Sequence, residues 1–509
     1  MRRLRILSQW TFGLFFLFLF FNTRYTGEDV IPYPVNAFFT IDALAGITAM
    51  AAGRKIILFF WPLILLIPFT ILFGRFFCGW ICPLGGSLDI VGRKSRNRSP
   101  SPTGTFYPVK DIALLILLVA SLFAVNLSGL VDPLSILIRG LAMGVVHPLE
   151  KSVHILFDTA WRLGGPVTSV TEPAYGYLRD HVLSFELPVF RYGVLFLGFL
   201  LVLVLLEIRE RRFWCRNLCP LGALLGILSS RTPFGLSIEK SGCTACGRCP
   251  ETCRMGAIEG KNKQKIRKRD CILCYDCVES CETQAIRHTA VPGGTRDAGP
   301  VLPLSRRAFF GALGAGVLLP LTAGRSARPD ALPASVIRPP GAVPEDRFVG
   351  LCLRCGECMR VCLTNGLQPT LFEAGAEAMW TPRLVSRIGY CEYSCTLCGQ
   401  VCPTGAIRNL DKVTKRRVHI GIAMIMKDRC IPFVKPQECL VCEEHCPTPE
   451  KAIVFDDVPV QGPEGPVIIK RPRVLPDLCI GCGICEYKCP VQSESAIVIV
   501  RDGEDREKG

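Results

Sequence analysis

The stretch "CIGCGICEYKCP", Cys479 to Pro490, spaces four cysteines as C-x2-C-x2-C-x3-C. That spacing is how a chain grips a [4Fe–4S] cube. Three thiolates on one short loop hold three corners, and the fourth, on the turn that follows, reaches a neighbouring cluster. The same run recurs at Cys243/Cys246/Cys249/Cys253, Cys271/Cys274/Cys277/Cys281 and Cys352/Cys355/Cys358/Cys362. Two looser variants stand at Cys391/Cys395/Cys398/Cys402 and Cys430/Cys439/Cys442/Cys446. Five of the six runs are soon followed by Ala-Ile, at 257–258, 285–286, 406–407, 452–453 and 496–497. This marks an internal repeat of loop, short helix and strand.

Six quartets use 24 of the 28 cysteines. A disulfide scaffold would be a short secreted chain, whereas this one has 509 residues and clusters its thiols. Zinc ribbons separate two CxxC pairs by roughly fifteen residues or more, and here three or four cysteines share one run. Six [4Fe–4S] clusters are therefore expected. No CxxCH occurs, so covalent c-type haem is not indicated. Cross-ligation within residues 241–290 gives Cys243, Cys246, Cys249 and Cys281 one cluster, and Cys271, Cys274, Cys277 and Cys253 the other.

Apolar segments at 6–22, 55–74, 109–128 and 188–208 each approach the ~20 residues that span a bilayer. No small-residue cleavage site follows the first, which argues against a signal peptide. Basic residues gather in "MRRLR", "GRKSRNR" (92–98) and "RERR" (209–212), while 25–52 holds no Lys or Arg. The positive-inside rule then puts the N-terminus in the cytoplasm and the 25–52 and 129–187 loops outside. The net charge of +15 is read as this topology signal, with no nucleic acid as partner, since no basic stripe carries interleaved aromatics. The twin arginines Arg306 and Arg307, in "SRRAFFGALGAGVLLPLTAG" (305–324), resemble a twin-arginine export signal placed internally. "GALGAG" does not fit GxGxxG and follows no strand pattern.

The expected order is a four-span membrane domain (1–235), a cytoplasmic two-cluster ferredoxin domain (236–290) and a linker (291–304). A Tat-like fifth span (305–324), a Pro-rich linker (325–347) and a periplasmic four-cluster ferredoxin domain (348–509) follow. The fold class is thus an α-helical membrane domain with two α+β ferredoxin-type domains on opposite sides of a bacterial inner membrane.

Four cysteines remain: Cys78, Cys82, Cys215 and Cys219. They lie in "RFFCGWICPLGGSL" (75–88) and "RFWCRNLCPLGALL" (212–225), two copies of one motif, each after an outside-to-inside span. Spans one–two and three–four read as a parallel repeat, which brings the two CxxxCP pairs to one face. A disulfide is disfavoured on a reducing face. A shared Fe–S or other metal site, thiol chemistry and structural thiols stay open.

With these motifs in place, residues 1–290 resemble the NapH-type membrane quinol dehydrogenases, which carry two CxxxCP motifs and a dicluster domain. Residues 305–509 resemble the Tat-exported NapG/MauM-type four-cluster ferredoxins. The chain looks like the two fused. The resemblance implies quinol as donor, the quinone pool and membrane lipid as surroundings, and a periplasmic cytochrome or reductase as acceptor. A cytoplasmic redox partner is a further expectation. It also implies that the outer runs pair with each other and the inner runs likewise. That gives Cys352/Cys355/Cys358 with Cys489, and Cys479/Cys482/Cys485 with Cys362. It gives Cys391/Cys395/Cys398 with Cys446, and Cys430/Cys439/Cys442 with Cys402. Cys253, Cys281 and Cys362 lack the usual following Pro, though no ligand is lost. The polar residues of 131–156 nominate Asp132, Arg139, His147 and His154 for a quinol site, with the two histidines seven apart on one helical face. Two other readings stand beside quinol oxidation. One is a maturation factor like NosR-type or oxidase-assembly proteins, and the other is reverse flow from a periplasmic donor to quinone.

Overall fold

The computed structural model describes residues 1–94, 106–163, 166–181, 183–184, 188–258, 265–290, 303–323, 332–462 and 465–502. The basic loop beyond Lys94, linker residues 291–302 and the start of the second linker (325–331) lie outside them.

The helices in chain order are α1 (Arg2–Asn22), α2 (Ala43–Gly53), α3 (Leu63–Phe73), α4 (Phe76–Trp80) and α5 (Pro83–Val91). Next come α6 (Val109–Leu122), α7 (Ser128–Val131), α8 (Pro133–Arg139), α9 (His147–Leu163) and α10 (Pro166–His181). A π-helical stretch, Gly140–Val146, joins α8 to α9. Then follow α11 (Gly193–Arg209), α12 (Phe213–Asn217), α13 (Pro220–Ser229), α14 (Arg248–Thr252), α15 (Asp276–Glu279) and α16 (Arg306–Ala323).

The second cysteine of each CxxxCP motif starts a helix, and the local chemistry explains why. Pro83 and Pro220 sit at the first helical position, where a missing N–H costs nothing and φ is already helical. Cys82 and Cys219 become the N-caps, with Sγ accepting from the N–H of Gly85 at 3.4 Å and of Gly222 at 3.3 Å. "CP" is thus a helix start that aims a sulfur at exposed backbone N–H groups.

The chain divides into two compact units that do not follow sequence order. One comprises Met1–Asn22, Pro34–Leu141 and Val194–Thr322, and the other Thr23–Tyr33, Ala142–Gly193 and Ala323–Gly509. The two-cluster segment therefore joins the apolar helices. Of the expected outer loops, residues 25–33 and 142–187 join the four-cluster segment, while 34–52 and 129–141 join the first unit.

In the first unit, Leu84 and Leu88 of α5, Leu114 and Leu117 of α6, and Leu221 and Leu225 of α13 are buried. Each such side chain contributes about 1.5–3 kcal/mol. A Cβ at Gly316 would meet Val119 Cβ at 2.7 Å, so α16 packs closely on α6. The two-cluster segment is closed by strands β1 (Phe234–Ile238) and β2 (Ile286–Ala290), which pair antiparallel with Phe234 opposite Ala290.

Among the described residues α1, of 21 residues, is long and apolar enough to cross a membrane; the 3₁₀ turn Val35–Ile41 and α2 pass together but are bent by 82°. Helices α3, α6 and α11 fall where spans were expected but run 11, 14 and 17 residues. That is short of the ~20 a bilayer core needs. Their outward faces are nevertheless apolar. Ile64, Leu65, Val194, Leu205, Leu318 and Leu321 are each at least 60% exposed.

The second unit holds short antiparallel pairs. They are β3 (Leu367–Pro369) with β4 (Pro382–Leu384), β5 (Ile422–Ile425) with β8 (Ile497–Val500), and a hairpin of β6 (Ile453–Gly462) and β7 (Gly465–Val474). Its distant segments are stitched by polar contacts. Asp29 accepts from the N–H and the Oγ1 of Thr396, both at 2.9 Å. Arg360 Nε donates to Thr23 O at 3.0 Å, and Asn365 Nδ2 to Val189 O at 2.7 Å.

Candidate iron–sulfur centres and the CxxxCP thiols

Each cysteine run folds as a loop that leads into a helical turn, so the first three thiols converge and the fourth points away. In the first unit Cys249 faces Cys243, Cys246 and Cys281. These four line one cavity of about 600 Å³ with Ile238, Ile258 and Ile286. Cys277 faces Cys271, Cys274 and Cys253. Both groupings are those expected from cross-ligation.

The second unit departs from the expected pairing. Cys358 faces Cys355, Cys352 and Cys402. Cys362, Cys391, Cys395 and Cys398 line a second cavity of about 440 Å³. Cys430, Cys439, Cys442 and Cys489 line a third of about 380 Å³. Cys482 faces Cys479 and Cys446. Adjacent runs therefore exchange their fourth cysteines, first with second and third with fourth. Each adjacent couple is one compact module, and the long hairpin β6–β7 lies between the third and fourth runs. A sequence separation of about 40 residues is closed at less entropic cost than one of more than 100.

The donor sets suit iron–sulfur clusters. Burial, reinforced by neighbouring thiols, pushes Cys249 up to about 11 and Cys271, Cys274 and Cys482 up to about 12. Thiols held so high ionise against a cation, which iron supplies. Among the described residues no three His, Cys, Asp or Glu side chains gather tightly enough to hold one metal ion. The quartets are spaced for something wider. Backbone N–H groups point at the sulfurs, as from Ala257 to Cys253 at 3.2 Å, Ile407 to Cys402 at 3.3 Å and Ala423 to Cys479 at 3.4 Å. A hydroxyl two residues after the fourth cysteine also meets its sulfur in four runs. The closest is Thr448 Oγ1 to Cys446 Sγ at 3.2 Å; Thr283, Thr364 and Thr404 do the same at 3.7–3.9 Å. This C-x-T signal was readable in the sequence and was missed.

The four remaining thiols come together in the first unit. Cys82, Cys215 and Cys219 are buried with Cys78, and Cys219 faces all three others. Two arginines cross-brace them with near two-fold symmetry. Arg75 donates to Cys78 Sγ at 3.8 Å and approaches Gly222 of the other motif. Arg212 donates to Cys215 Sγ at 3.6 Å and to Cys78 O at 3.2 Å, and approaches Gly85. Neither glycine has room for a Cβ, which would lie 2.7 Å from the arginine nitrogen.

Both motifs abut the loops that carry the second thiol quartet. A Cβ at Gly79 would lie 2.3 Å from Ile272 O, so only glycine permits the approach. Trp80 Nε1 donates to Leu273 O at 3.0 Å, Arg75 Nη1 to Arg269 O at 3.1 Å, and Arg216 Nε to Met255 O at 3.2 Å. Asp89 of α5 ties the assembly together. It accepts from Arg212 at 2.8 and 2.6 Å, from Arg254 at 3.0 Å and from Arg5 at 3.2 Å. Gln9 Nε2 adds a bond to the same carboxylate at 2.9 Å. Together these cations hold Asp89 well below the usual carboxylate range, despite its burial.

Family models for "4Fe-4S binding domain" match residues 55–102 with 192–237, and again 472–493. One for "4Fe-4S dicluster domain" matches 242–286. The methylamine utilization ferredoxin-type protein MauM of Methylorubrum extorquens is 36% identical over 174 residues, 33% of this chain and 74% of that protein. The ferredoxin-type protein NapG of Escherichia coli is 31% identical over 165 residues, covering 32% and 70%. The chain belongs to the MauM/NapG family of ferredoxin-type proteins. The relationship covers about a third of its length. The ferredoxin-type protein NapF of Escherichia coli is 29% identical over 160 residues, or 84% of that protein. No solved structure matches. Like these relatives, the chain is a ferredoxin-type iron–sulfur electron-transfer protein with several 4Fe-4S domains.

The four residues nominated for a quinol site divide between the units. Asp132 caps α8 and Arg139 donates to Gly129 O at 3.1 Å, both in the first unit. His147 and His154 lie on α9 in the second, where His154 Nδ1 meets Tyr175 Oη at 2.8 Å. They do not form one site within either unit. Twin arginines Arg306 and Arg307 open α16 and are exposed.

Proposed function

We propose that this protein is a membrane-anchored quinol dehydrogenase that passes electrons singly through six [4Fe–4S] clusters to a periplasmic acceptor. The observation that carries the reading is the seating of the two CxxxCP motifs on the second thiol quartet, the first against Ile272 and Leu273 and the second against Met255 beside Cys253. It gives electrons drawn in the apolar helices a protein contact with a cluster. The ligands are the six quartets as the structure groups them. The bound clusters supply one-electron redox chemistry. The chain's own thiols, N–H groups and hydroxyls set the potential.

The exposed apolar faces of α3, α11 and α16 support a lipid surrounding, since a water-exposed domain rarely leaves such surface bare. Packing of α16 on α6 supports a Tat-like segment that stays as an anchor. The union of residues 23–33 and 142–193 with the four-cluster segment supports the periplasmic placement of those parts of the two loops. The CxxxCP thiols are proposed as a seventh centre, because two arginines offset the charge of four thiolates around a metal core.

Full-length protein in lipid nanodiscs, kept anaerobic, tests this. Menaquinol should bleach the visible cluster absorbance as dithionite does. Iron should approach about 28 per chain, against about 24 from the quartets alone. Reduction by dithionite but by no quinol refutes the dehydrogenase reading, and iron near 24 refutes the seventh centre.

A further inference from the structure

A second internal repeat runs through the apolar unit. "VNAFFTIDALA" (35–45) and "VNLSGLVDPLS" (125–135) align as V-N-x4-[I/V]-D-x-L-small. The structure makes the aspartates equivalent. Asp42 caps α2, with Oδ1 accepting from Ala45 N at 2.9 Å. Asp132 caps α8, with Oδ2 accepting from Ser135 N at 2.8 Å. Both residues are 0% exposed. The carboxyls meet in hydrogen-bonding contact. Among the described residues no N–H or other O–H donor reaches Asp42 Oδ2 or Asp132 Oδ1. Around them Thr48 Oγ1 donates to Ser128 Oγ at 2.9 Å, and Ser128 Oγ to Asn126 Oδ1 at 2.7 Å.

Two carboxylates side by side and shielded from bulk solvent cannot both be charged. A hydrogen bond between two carboxyl groups needs a proton, since ionised carboxylates only accept. A structural cap needs neither the burial nor the encounter of two acids. Ionisable groups set among apolar helices are expensive and mark proton or ion traffic.

We propose that Asp42 and Asp132 share one proton and form the pair that accepts the protons of quinol oxidation. This role rests on the quinol reading above. Each step breaks one quinol O–H. The proton makes a new O–H on the pair, which passes from one proton to two, and the electron reduces one [4Fe–4S]²⁺ centre to the 1+ state. The pair returns its extra proton to water before the second step. One quinol thus yields one quinone, two protons and two reduced centres.

The variants D42N and D132N test both parts. Asparagine caps a helix as well as aspartate does, so both helices keep their start. In the full-length protein, infrared spectra should show a protonated-carboxyl C=O band that shifts in D₂O and is lost in either variant. Quinol-driven cluster reduction should fall by about 10²-fold, while dithionite reduction and iron content stay at the wild-type level. A band that survives in both variants overturns the shared proton. A band that disappears while quinol-driven reduction keeps its wild-type rate overturns the acceptor role. Wild-type protein that takes no electrons from quinol overturns that role together with the quinol reading, and the band alone then decides the shared proton. Should D42N fail to fold, D132N carries the same comparison.

Discussion

Replacing Cys352 and Cys402 by alanine, singly and together, tests the exchange of fourth ligands between adjacent runs. The structure puts both thiols in one quartet, with Cys355 and Cys358. Each [4Fe–4S] cluster holds four irons, so loss of one lowers the count by about four. C352A and C402A should each lose about four irons, and the double variant no more than either alone. The pairing of outer with outer runs would instead place Cys402 with Cys430, Cys439 and Cys442, and the double variant would lose about eight. The mirror experiment pairs C352A with C489A, which the structure puts in different quartets. That double should lose about eight irons. The readout is iron and acid-labile sulfide per chain, with a [3Fe–4S] signal by electron paramagnetic resonance reporting a cluster that sheds one iron rather than four. Non-additivity is the sign of a shared unit. An additive C352A/C402A double beside a non-additive C352A/C489A double refutes the grouping. Where alanine destabilises a loop, serine at the same positions keeps the volume and gives the same count.

Removing Asp89 should cost about 3–5 kcal/mol, because it strips Arg212, 1% exposed, of its ion pair and leaves the equally buried Arg5 only the longer one to Asp276 at 3.8 Å. By the usual scaling D89A lowers the melting temperature of the unit by about 6–20 °C, read by thermal unfolding in detergent. A shift below about 2 °C refutes the bracing role. The folded pKa of Asp89 is depressed. Its contribution is therefore present above the unfolded value of about 3.9 and is lost as pH falls below that toward the folded value. Wild type should lose stability on acidification through this window and D89N much less, measured by unfolding at stepped pH. T448V removes the hydroxyl on Cys446 and should lower the potential of the cluster that Cys446 shares with Cys479, Cys482 and Cys485, with the others unchanged in a redox titration. An upward shift or none refutes that hydrogen bond as a tuning element.

Cysteine arithmetic located every thiol quartet and singled out the CxxxCP foursome, because ligand spacing is a local property. The adjacent-run pairing was not legible. It depends on which loops stack, and the spacing within a run does not say which other run it packs against. The compact units were also hidden. Nothing about residues 23–33 announces that Asp29 will bond Thr396, since side-chain contacts across 367 positions leave no local pattern. In the sequence, Asp42 before "ALAG" reads as an ordinary helix cap, which it is. Its significance appears only when the second copy, Asp132, arrives beside it. Arg5 and Gln9 read as charge and polarity on an apolar helix, and the structure shows both spent on Asp89.

The union of residues 23–33 and 142–193 with the four-cluster segment has a consequence for assembly. Between separate proteins, polar contacts such as those of Asp29, Thr23 and Val189 would be populated only at high concentration. Here one chain carries both sides, so association becomes a matter of effective molarity, in the range of mM for a short flexible tether. A weak surface then suffices for permanent docking. The four-cluster segment stays docked on residues 23–33 and 142–193 without a tight interface having to evolve.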